Sequence, residues 1–319
     1  MFVIIRTEDE NDKLKNENKK LKNDKEYLTK CIVSLARPPG SEKPFLFNIT
    51  GHIIDYNLMK LLIEHGADVN ARENKISGKI DVKSIQNRSK AALHVAENPE
   101  IVKLLIDNGA DVNIVDGKHR TPIFYTNLHY DKSAEVAKLL IDNGADVNIE
   151  DDEHKTPLHY VKSMEVAKLL IDAGADCSHH YKSNKRDISV IYDIDNLDIV
   201  WYIIQRFPKT FSELEDIDKL VLMARFVEAN NIEFIKFVIK EHKTLLDWCP
   251  KVNSRSILTF ATTKEMFKLL VLNGAKIEKA TKWFNQRKDD DKVWKSSELF
   301  QTAWRLDEES KQFEYIGFL

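Results

Sequence analysis

Cysteine and histidine, the side chains best suited to hold a transition metal, stand together in Cys177-Ser-His-His180. Thiolate and imidazole are the ligands of structural zinc, but a closed zinc site takes four of them. No CxxC or HxxxH pair accompanies this segment. We therefore predict a polar loop here and no bound metal.

The sequence contains ten glycines, and neither their spacing nor the reactive side chains indicate catalysis. Gly40, Gly51, Gly78, Gly117 and Gly317 are too scattered to form a GxGxxG or P-loop phosphate cradle. Nucleophilic catalysis needs a base beside a cysteine or serine, and no arrangement in the sequence singles out such a pair. We therefore predict no catalytic residues and no bound cofactor.

Composition is typical of a soluble, folded protein, because 43% of the 319 residues are apolar and 31% are charged. The net charge of −3 gives no reason to expect nucleic acid as a partner. Three widely spaced cysteines indicate a reducing compartment. The longest apolar run in the repeats, 199–204, is far below the ~20 residues that span a bilayer. We expect a cytoplasmic protein that binds no membrane. A secreted effector is the alternative, because its export signal need not be apolar.

The element that must position any functional side chain is a helix, which runs from Glu135 toward Gly144. Its polar residues Glu135, Lys138 and Asp142 lie three and four positions apart, so they form one solvent-facing line. The other residues are apolar, which predicts neighbours of the same kind on both flanks. Gly144 predicts a left-handed stop at the helix end. The same phrase recurs before Gly66, Gly109, Gly174 and Gly274.

The spacing of these glycines indicates a stack of repeats. Successive stops are 43, 35, 30 and 100 residues apart. The last interval holds two degenerate copies, which end with Phe207 and His242 in the glycine place. The resulting period near 33 residues is typical of a helical solenoid, in which each unit contacts only its neighbours. We therefore predict an all-α fold.

A second motif precedes each long helix and is clearest in Thr156-Pro-Leu-His159. Thr156 is a good N-cap, since its hydroxyl can accept free N–H groups of the first turn, and Pro157 suits the first helical position. The same place in other copies holds Ala91-Ala-Leu-His94, Thr121-Pro-Ile-Phe124, Arg186-Asp-Ile-Ser189, Lys219-Leu-Val-Leu222 and Ser256-Ile-Leu-Thr259. The motif predicts a first helix in each unit.

The chain resembles the ankyrin-repeat family, because GADVN after a leucine pair and TPLH recur in phase. The resemblance covers residues 40–275 in about seven copies, the later ones divergent, and implies units of one hairpin loop and two antiparallel helices. It also implies a structural hydrogen-bonding role for His94 and His159. The sequence departs from the family pattern at His119 and His154, which stand where the family has glycine.

The length of each unit departs from the family pattern as well. From the first residue of the TPLH motif to the leucine pair there are 13 residues after Thr156 and Ala91, and 18 after Thr121, where the family has 16. The first helix or its turn is therefore shortened or extended. An insertion at 74–86 is predicted to project as a loop.

The two ends of the chain differ from the repeats. In residues 1–39 leucine recurs every seven positions from Leu14 to Leu35 in a charged background, but the other seam positions are mostly polar. This predicts a weak coiled coil in a helical extension. The helix either dimerises, giving a homodimer, or docks on the first repeat. Residues 276–319, with three tryptophans among charged residues, are predicted to form a helical cap or tail.

The family resemblance implies a non-catalytic scaffold that binds a protein through its hairpin tips and concave helix face. The outward tip residues predicted to contact the partner are Lys118, Arg120, Asp152, Glu153 and Lys155. Reversing the charges of Lys118 and Arg120 is expected to leave stability nearly unchanged. Similarity to the repeats of intracellular bacteria and large DNA viruses implies a host protein as partner. The competing hypothesis is an enzyme or toxin-like effector whose active part is the 276–319 tail.

Overall fold

The computed structural model describes residues 56–72, 89–126, 133–183, 186–247 and 256–276. The expected N-terminal extension, the 74–86 insertion and residues 277–319 lie outside these ranges. The chain divides into two compact units, residues 1–184 (unit 1) and 185–319 (unit 2). Apart from two four-residue strands, the regular structure in the described ranges is helical. None of the helices described is long and apolar enough to cross a membrane.

Long helices and single helical turns make two layers in unit 1. In chain order the elements are α1 (Tyr56–Glu64), α2 (Ala92–Val95), α3 (Pro99–Asp107), α4 (Pro122–Tyr125), α5 (Ser133–Asp142), a 3-10 turn (Pro157–Tyr160), α6 (Met164–Asp172) and strand β1 (His180–Ser183). The long helices α1, α3, α5 and α6 pack each against the next, and so do the turns α2, α4 and the 3-10 turn. The short first helix expected from the 13-residue spacing is confirmed.

Helix α5 shows why these segments fold as predicted. Val136, Ala137 and Leu140 are buried between α3 and α6, whereas Glu135 and Lys138 are exposed. Burying one side chain of the size of leucine contributes about 1.5–3 kcal/mol, so apolar burial on both flanks holds the helix in place.

Asparagine side chains join successive loops of unit 1. Asn113 donates from Nδ2 to the carbonyl of Gly144 at 2.9 Å and accepts the N–H of Asp146 at 2.8 Å. The equivalent contacts run from Asn70 to Gly109 and Asp111, and from Asn148 to Gly174 and Asp176. Ser178 follows in the next copy and bonds Asp176 of its own loop. This asparagine ladder (Asn70, Asn113 and Asn148) fixes the spacing of consecutive loops in unit 1.

Unit 2 is irregular. Its elements are strand β2 (Arg186–Ser189), α7 (Val190–Asp193), α8 (Leu197–Arg206), α9 (Lys209–Ser212), α10 (Asp216–Glu228), α11 (Ile232–Glu241), two 3-10 turns (Lys243–Asp247 and Ile257–Phe260) and α12 (Lys264–Leu272). Aromatic rings fill its core. Phe226 stacks on Phe234 with ring centroids 3.8 Å apart, and Phe211 and Trp201 meet Phe234 edge-on at 5.5 and 5.6 Å. The two helices predicted in the degenerate copies, α8 and α11, are confirmed.

Two helices of unit 2, α8 and α11, end differently from the helices that precede a glycine. The predicted glycine stops are confirmed by φ values of +84° at Gly66 and Gly109, +86° at Gly144, +91° at Gly174 and +111° at Gly274. A side chain in this left-handed region costs about 1–2 kcal/mol. Phe207 and His242 stand in the same place with φ of −132° and −139°, so α8 and α11 end without a left-handed residue.

Two predicted motif positions in unit 2 are wrong. Residues 186–189 form strand β2, and the short helix α7 begins after Ser189, which lies 13 residues before Tyr202 in the leucine-pair place. The shortened spacing of unit 1 therefore continues here. Lys219 lies inside the thirteen-residue helix α10 instead of at its start. The third position is confirmed, because Ser256 caps the 3-10 turn by accepting the N–H of Leu258 at 3.4 Å.

Candidate functional site

Two hairpin loops of unit 1 present the predicted contact residues at their tips, residues 116–120 (tip 1) and 151–155 (tip 2). Each tip is closed by a backbone hydrogen bond, from Asp116 to Arg120 at 2.9 Å and from Asp151 to Lys155 at 3.0 Å. The buried carboxylate of Asp116 also accepts the N–H groups of Lys118 at 2.7 Å and Arg120 at 3.0 Å. These contacts hold the backbone of each tip in one conformation.

Asp151 repeats this arrangement in tip 2. Its Oδ1 accepts the N–H groups of Glu153 at 2.8 Å and Lys155 at 3.0 Å. Its Oδ2 accepts the hydroxyl of Tyr160 at 2.6 Å, and Tyr125 makes the same contact with Asp116 in tip 1. The tyrosines were not identified from the sequence. The signal was a tyrosine nine residues after each hairpin aspartate, in two successive copies.

The buried carboxyl of Asp116 is held in the charged form. Burial alone would raise the pKa of the Asp116 carboxyl, but hydrogen bonds from Tyr125 and from the N–H groups of Arg120 and Lys118 outweigh it and lower the pKa. Burial and the bond to the aspartate raise the pKa of Tyr125, and they do the same for Tyr160. The tyrosines therefore act as neutral donors to fixed carboxylates.

The predicted contact residues divide into two groups. Arg120 is turned inward, because its guanidinium donates to Asp116 Oδ2 at 3.0 Å and its side chain is only 23% exposed. Lys155 lies over the ring of Tyr181 at 4.8 Å and pairs with Glu153 at 3.7 Å. Asp152 and Glu153 are exposed at the surface, and Lys118 is half-buried. We therefore now expect reversal of Arg120 to lower stability, because the change would place a second carboxylate beside the buried Asp116.

Histidine occupies the left-handed position of both tips. φ is +56° at His119 and +60° at His154, and Ser89, in the equivalent place of the preceding copy, has φ of +84°. The departure from glycine was visible in the sequence, but the direction of the side chains was not. Both rings are exposed, with 70% of the His119 side chain and 73% of the His154 side chain open to solvent.

The tip histidines contact carboxylates. His119 Nδ1 donates to Asp152 Oδ1 at 2.6 Å, which joins tip 1 to tip 2. His154 Nδ1 donates to Glu150 Oε2 at 3.0 Å, and His179 Nε2 reaches the other oxygen of Glu150 at 3.2 Å. The hydrogen bond from His154, followed by the one from His179, lowers the pKa of Glu150. Sequence reasoning missed Glu150, and it considered His179 only as a candidate metal ligand, because neither residue lies within the tip motif.

His94 and His159 have the structural role that the family resemblance implies. His94 Nδ1 accepts the N–H of Ala91 at 3.0 Å, and its Nε2 donates to the carbonyl of Arg120 at 3.1 Å. His159 Nδ1 accepts the N–H of Thr156 at 3.0 Å. Thr156 stands at the predicted N-cap position with extended backbone, and its Oγ1 also lies 3.0 Å from His159 Nδ1.

The candidate metal segment is divided between the interior and the surface. Cys177 is buried and its Sγ contacts the carbonyl of Ala175 at 3.7 Å, whereas His180 is exposed. Across the part of the chain that the structure describes, no three histidine, cysteine or acidic side chains are placed to share a metal ion.

Comparison with known proteins identifies this region. Residues 89–181, which include both tips, match a family model described as ankyrin repeats, in three copies. Comparison with curated proteins gives no significant match.

Proposed function

We propose that this chain, whose residues 89–181 are ankyrin repeats, is a non-catalytic scaffold that binds a partner protein through tips 1 and 2. Ankyrin repeats generally mediate protein–protein interaction, which supports the class of function. The proposal goes further by naming the face. Its contact residues are Lys118, Asp152 and Glu153, together with the tip histidines His119 and His154.

The observation that carries the proposal is a fixed backbone beneath exposed side chains. The carboxylates of Asp116 and Asp151 close each tip from the inside, while His119, Glu153 and His154 stand in solvent. A surface that is ordered before binding loses little conformational entropy on association, so more of the contact energy appears as affinity.

The two tips also keep their spacing. The N–H of Asp152 donates to the carbonyl of Lys118 at 3.1 Å, and His119 bonds the side chain of Asp152. Below them, the asparagine ladder ties the bases of the same loops. A partner therefore meets two tips in constant register, which favours one complementary pattern over others.

The identity of the partner and the extent of the binding face are also proposals. We propose that the partner is a host protein and that the single turns α2 and α4, which pack against each other in unit 1, extend the binding face. Dimerisation through residues 1–39 and a cap formed by residues 277–319 lie outside the described residues. The enzyme or toxin-like alternative rests on that same tail, and no observation on the described residues favours it.

Charge reversal at the tips tests the binding face. The test variant is Lys118→Glu with Asp152→Lys, and the matched control is Lys138→Glu with Asp142→Lys on the exposed side of α5. A partner captured from candidate host extracts is purified, and its affinity for each variant is measured by calorimetry at one pH. We expect the test variant to bind at least about tenfold more weakly, and the control to bind like the parent. Equal affinities of test variant and parent would place the partner on another face.

A further inference from the structure

The imidazole–carboxylate contacts of the tips give the proposed binding face a charge that depends on pH. We propose that protonation of His119 and His154 regulates this face, so that it binds a basic protein segment at neutral pH and releases it in mild acid. This inference rests on the proposed function and names its regulation and the chemistry of its partner.

The arrangement of the rings supports this regulation. In both tips Nδ1 donates to a carboxylate, at 2.6 Å from His119 to Asp152 and at 3.0 Å from His154 to Glu150. A neutral imidazole that donates from Nδ1 carries its lone pair on Nε2. Because both rings are exposed, Nε2 of the neutral imidazole can accept a hydrogen bond from solvent or from a partner. After protonation Nε2 becomes a donor, so the face presents a hydrogen-bond donor where it presented an acceptor.

The groups around the histidines set the sign of the effect. His119 lies against tip 2 at Asp152, His154 lies against Glu150, and His179 reaches Glu150 from the following loop. The charged residues of segments 116–120 and 150–155 are the basic Lys118, Arg120 and Lys155 and the acidic Asp116, Glu150, Asp151, Asp152 and Glu153. Three positive and five negative charges sum to −2. Protonation of His119 and His154 takes the sum to 0.

The structure shows which of these charged side chains are exposed to a partner. Arg120 is occupied by buried Asp116 and Lys155 lies over Tyr181, so two of the three basic side chains point away from a partner. The exposed charge at neutral pH is therefore acidic. A basic segment gains Coulomb attraction and finds two Nε2 acceptors, whereas an acidic segment meets repulsion. Histidine is the side chain whose charge changes between about pH 5 and 8, which makes mild acid the condition for release.

The test uses the full chain and an oligolysine peptide, with an oligoglutamate peptide as the charge control. Affinity is measured by fluorescence anisotropy at about pH 7.5 and about pH 5.5 at constant ionic strength. The variant is His119→Asn with His154→Asn, because asparagine tolerates the left-handed backbone and does not titrate. The matched control is Ser89→Asn, at the same backbone position of the preceding copy.

We expect the parent and Ser89→Asn to bind oligolysine on the order of tenfold more tightly at the higher pH. The double variant should lose most of that difference while it keeps its far-UV circular dichroism spectrum. An unchanged pH dependence in the double variant overturns the regulation, and so does a failure of the parent to bind oligolysine at the higher pH. Neither result bears on the charge-reversal experiment with the natural partner at one pH, so the two proposals fail separately.

Discussion

Unit 1 and unit 2 stack helices of similar length by different chemistry. In unit 1 each long helix ends at a left-handed glycine, and an asparagine side chain bonds the backbone of the next loop at 2.8–3.0 Å. In unit 2 the glycine place of two helices holds Phe207 and His242, and the core is a cluster of aromatic rings around Phe234. Directional hydrogen bonds require a fixed spacing between consecutive loops, whereas apolar contacts do not.

This difference explains why the repeat is easily recognised in the sequence of unit 1 and has diverged in unit 2. A ladder contact joins an asparagine side chain to two backbone groups of the next loop, the carbonyl of its glycine and the N–H of its aspartate, so consecutive loops must keep the same shape and register. Aromatic burial is non-directional and accepts different chain lengths. Helix α10 accordingly runs for thirteen residues where unit 1 has a single turn. Regularity in the sequence therefore marks the loops that are hydrogen-bonded to each other.

Removing the centre of the aromatic cluster should have the largest effect. Phe234→Ala is expected to destabilise unit 2 by about 3–5 kcal/mol, because the ring is fully buried among Phe226, Phe211 and Trp201 and its loss leaves a cavity. All five tryptophans lie after residue 184, so tryptophan fluorescence in urea reports on unit 2. Phe207→Ala is the control and should change little, since Phe207 is exposed. Similar shifts for both variants would contradict an aromatic core.

Breaking the ladder tests the other half of the comparison. Asn113→Ala removes one donor and one acceptor between consecutive loops and should cost about 1–3 kcal/mol in unit 1. The control is Asn143→Ala, whose Nδ2 donates to Leu139 within the same segment and should cost less than about 0.5 kcal/mol. Urea unfolding followed by far-UV circular dichroism gives both values. If the two variants unfold at the same urea concentration, the ladder does not hold the loops together.

The glycine stop should have a smaller effect. Gly144→Ala places a Cβ at φ of +86° and is expected to destabilise unit 1 by about 1–2 kcal/mol, although nothing lies close enough to clash. Phe207→Gly is the counterpart in unit 2. It should not stabilise, because φ there is −132° and no left-handed strain is relieved. Thermal unfolding of each variant measures the change, and a rise in Tm for Phe207→Gly would show that the two helix ends are equivalent.

The smallest expected effect is on how the stability of the fold depends on pH. Burial lowers the pKa of His94 below its ordinary value of 6.5, and the bond to Arg120 only partly opposes it. The unfolded chain therefore binds the proton more readily, so stability is complete above about pH 6.5 and is lost as pH falls below it. His94→Gln should flatten this slope in urea titrations by circular dichroism. His242→Gln in unit 2 should change it less, because His242 is half-buried; an equal change would contradict burial as the cause.

The sequence by itself determined the positions of the helices and their ends in unit 1. Apolar periodicity and glycine are local signals, and a residue such as Leu140 is buried wherever its helix has neighbours on both flanks. The same reasoning located α8 and α11 without a glycine, from apolar pattern and spacing alone. The same reasoning placed the start of α7 wrongly, because strand β2 occupies the position at which the repeat length of the family predicts the helical turn.

Only the tertiary structure decided which tip residues meet solvent. Arg120 and Glu153 look alike as charged loop residues, but one is bound to a buried aspartate and the other is exposed. The contacts responsible join residues far apart in the chain, such as His119 with Asp152 or Asn70 with Gly109. A sequence pattern reports the periodicity of one segment. The partner of a polar side chain is set by where the fold brings a second segment, because a hydrogen bond requires its two atoms to lie within about 3 Å.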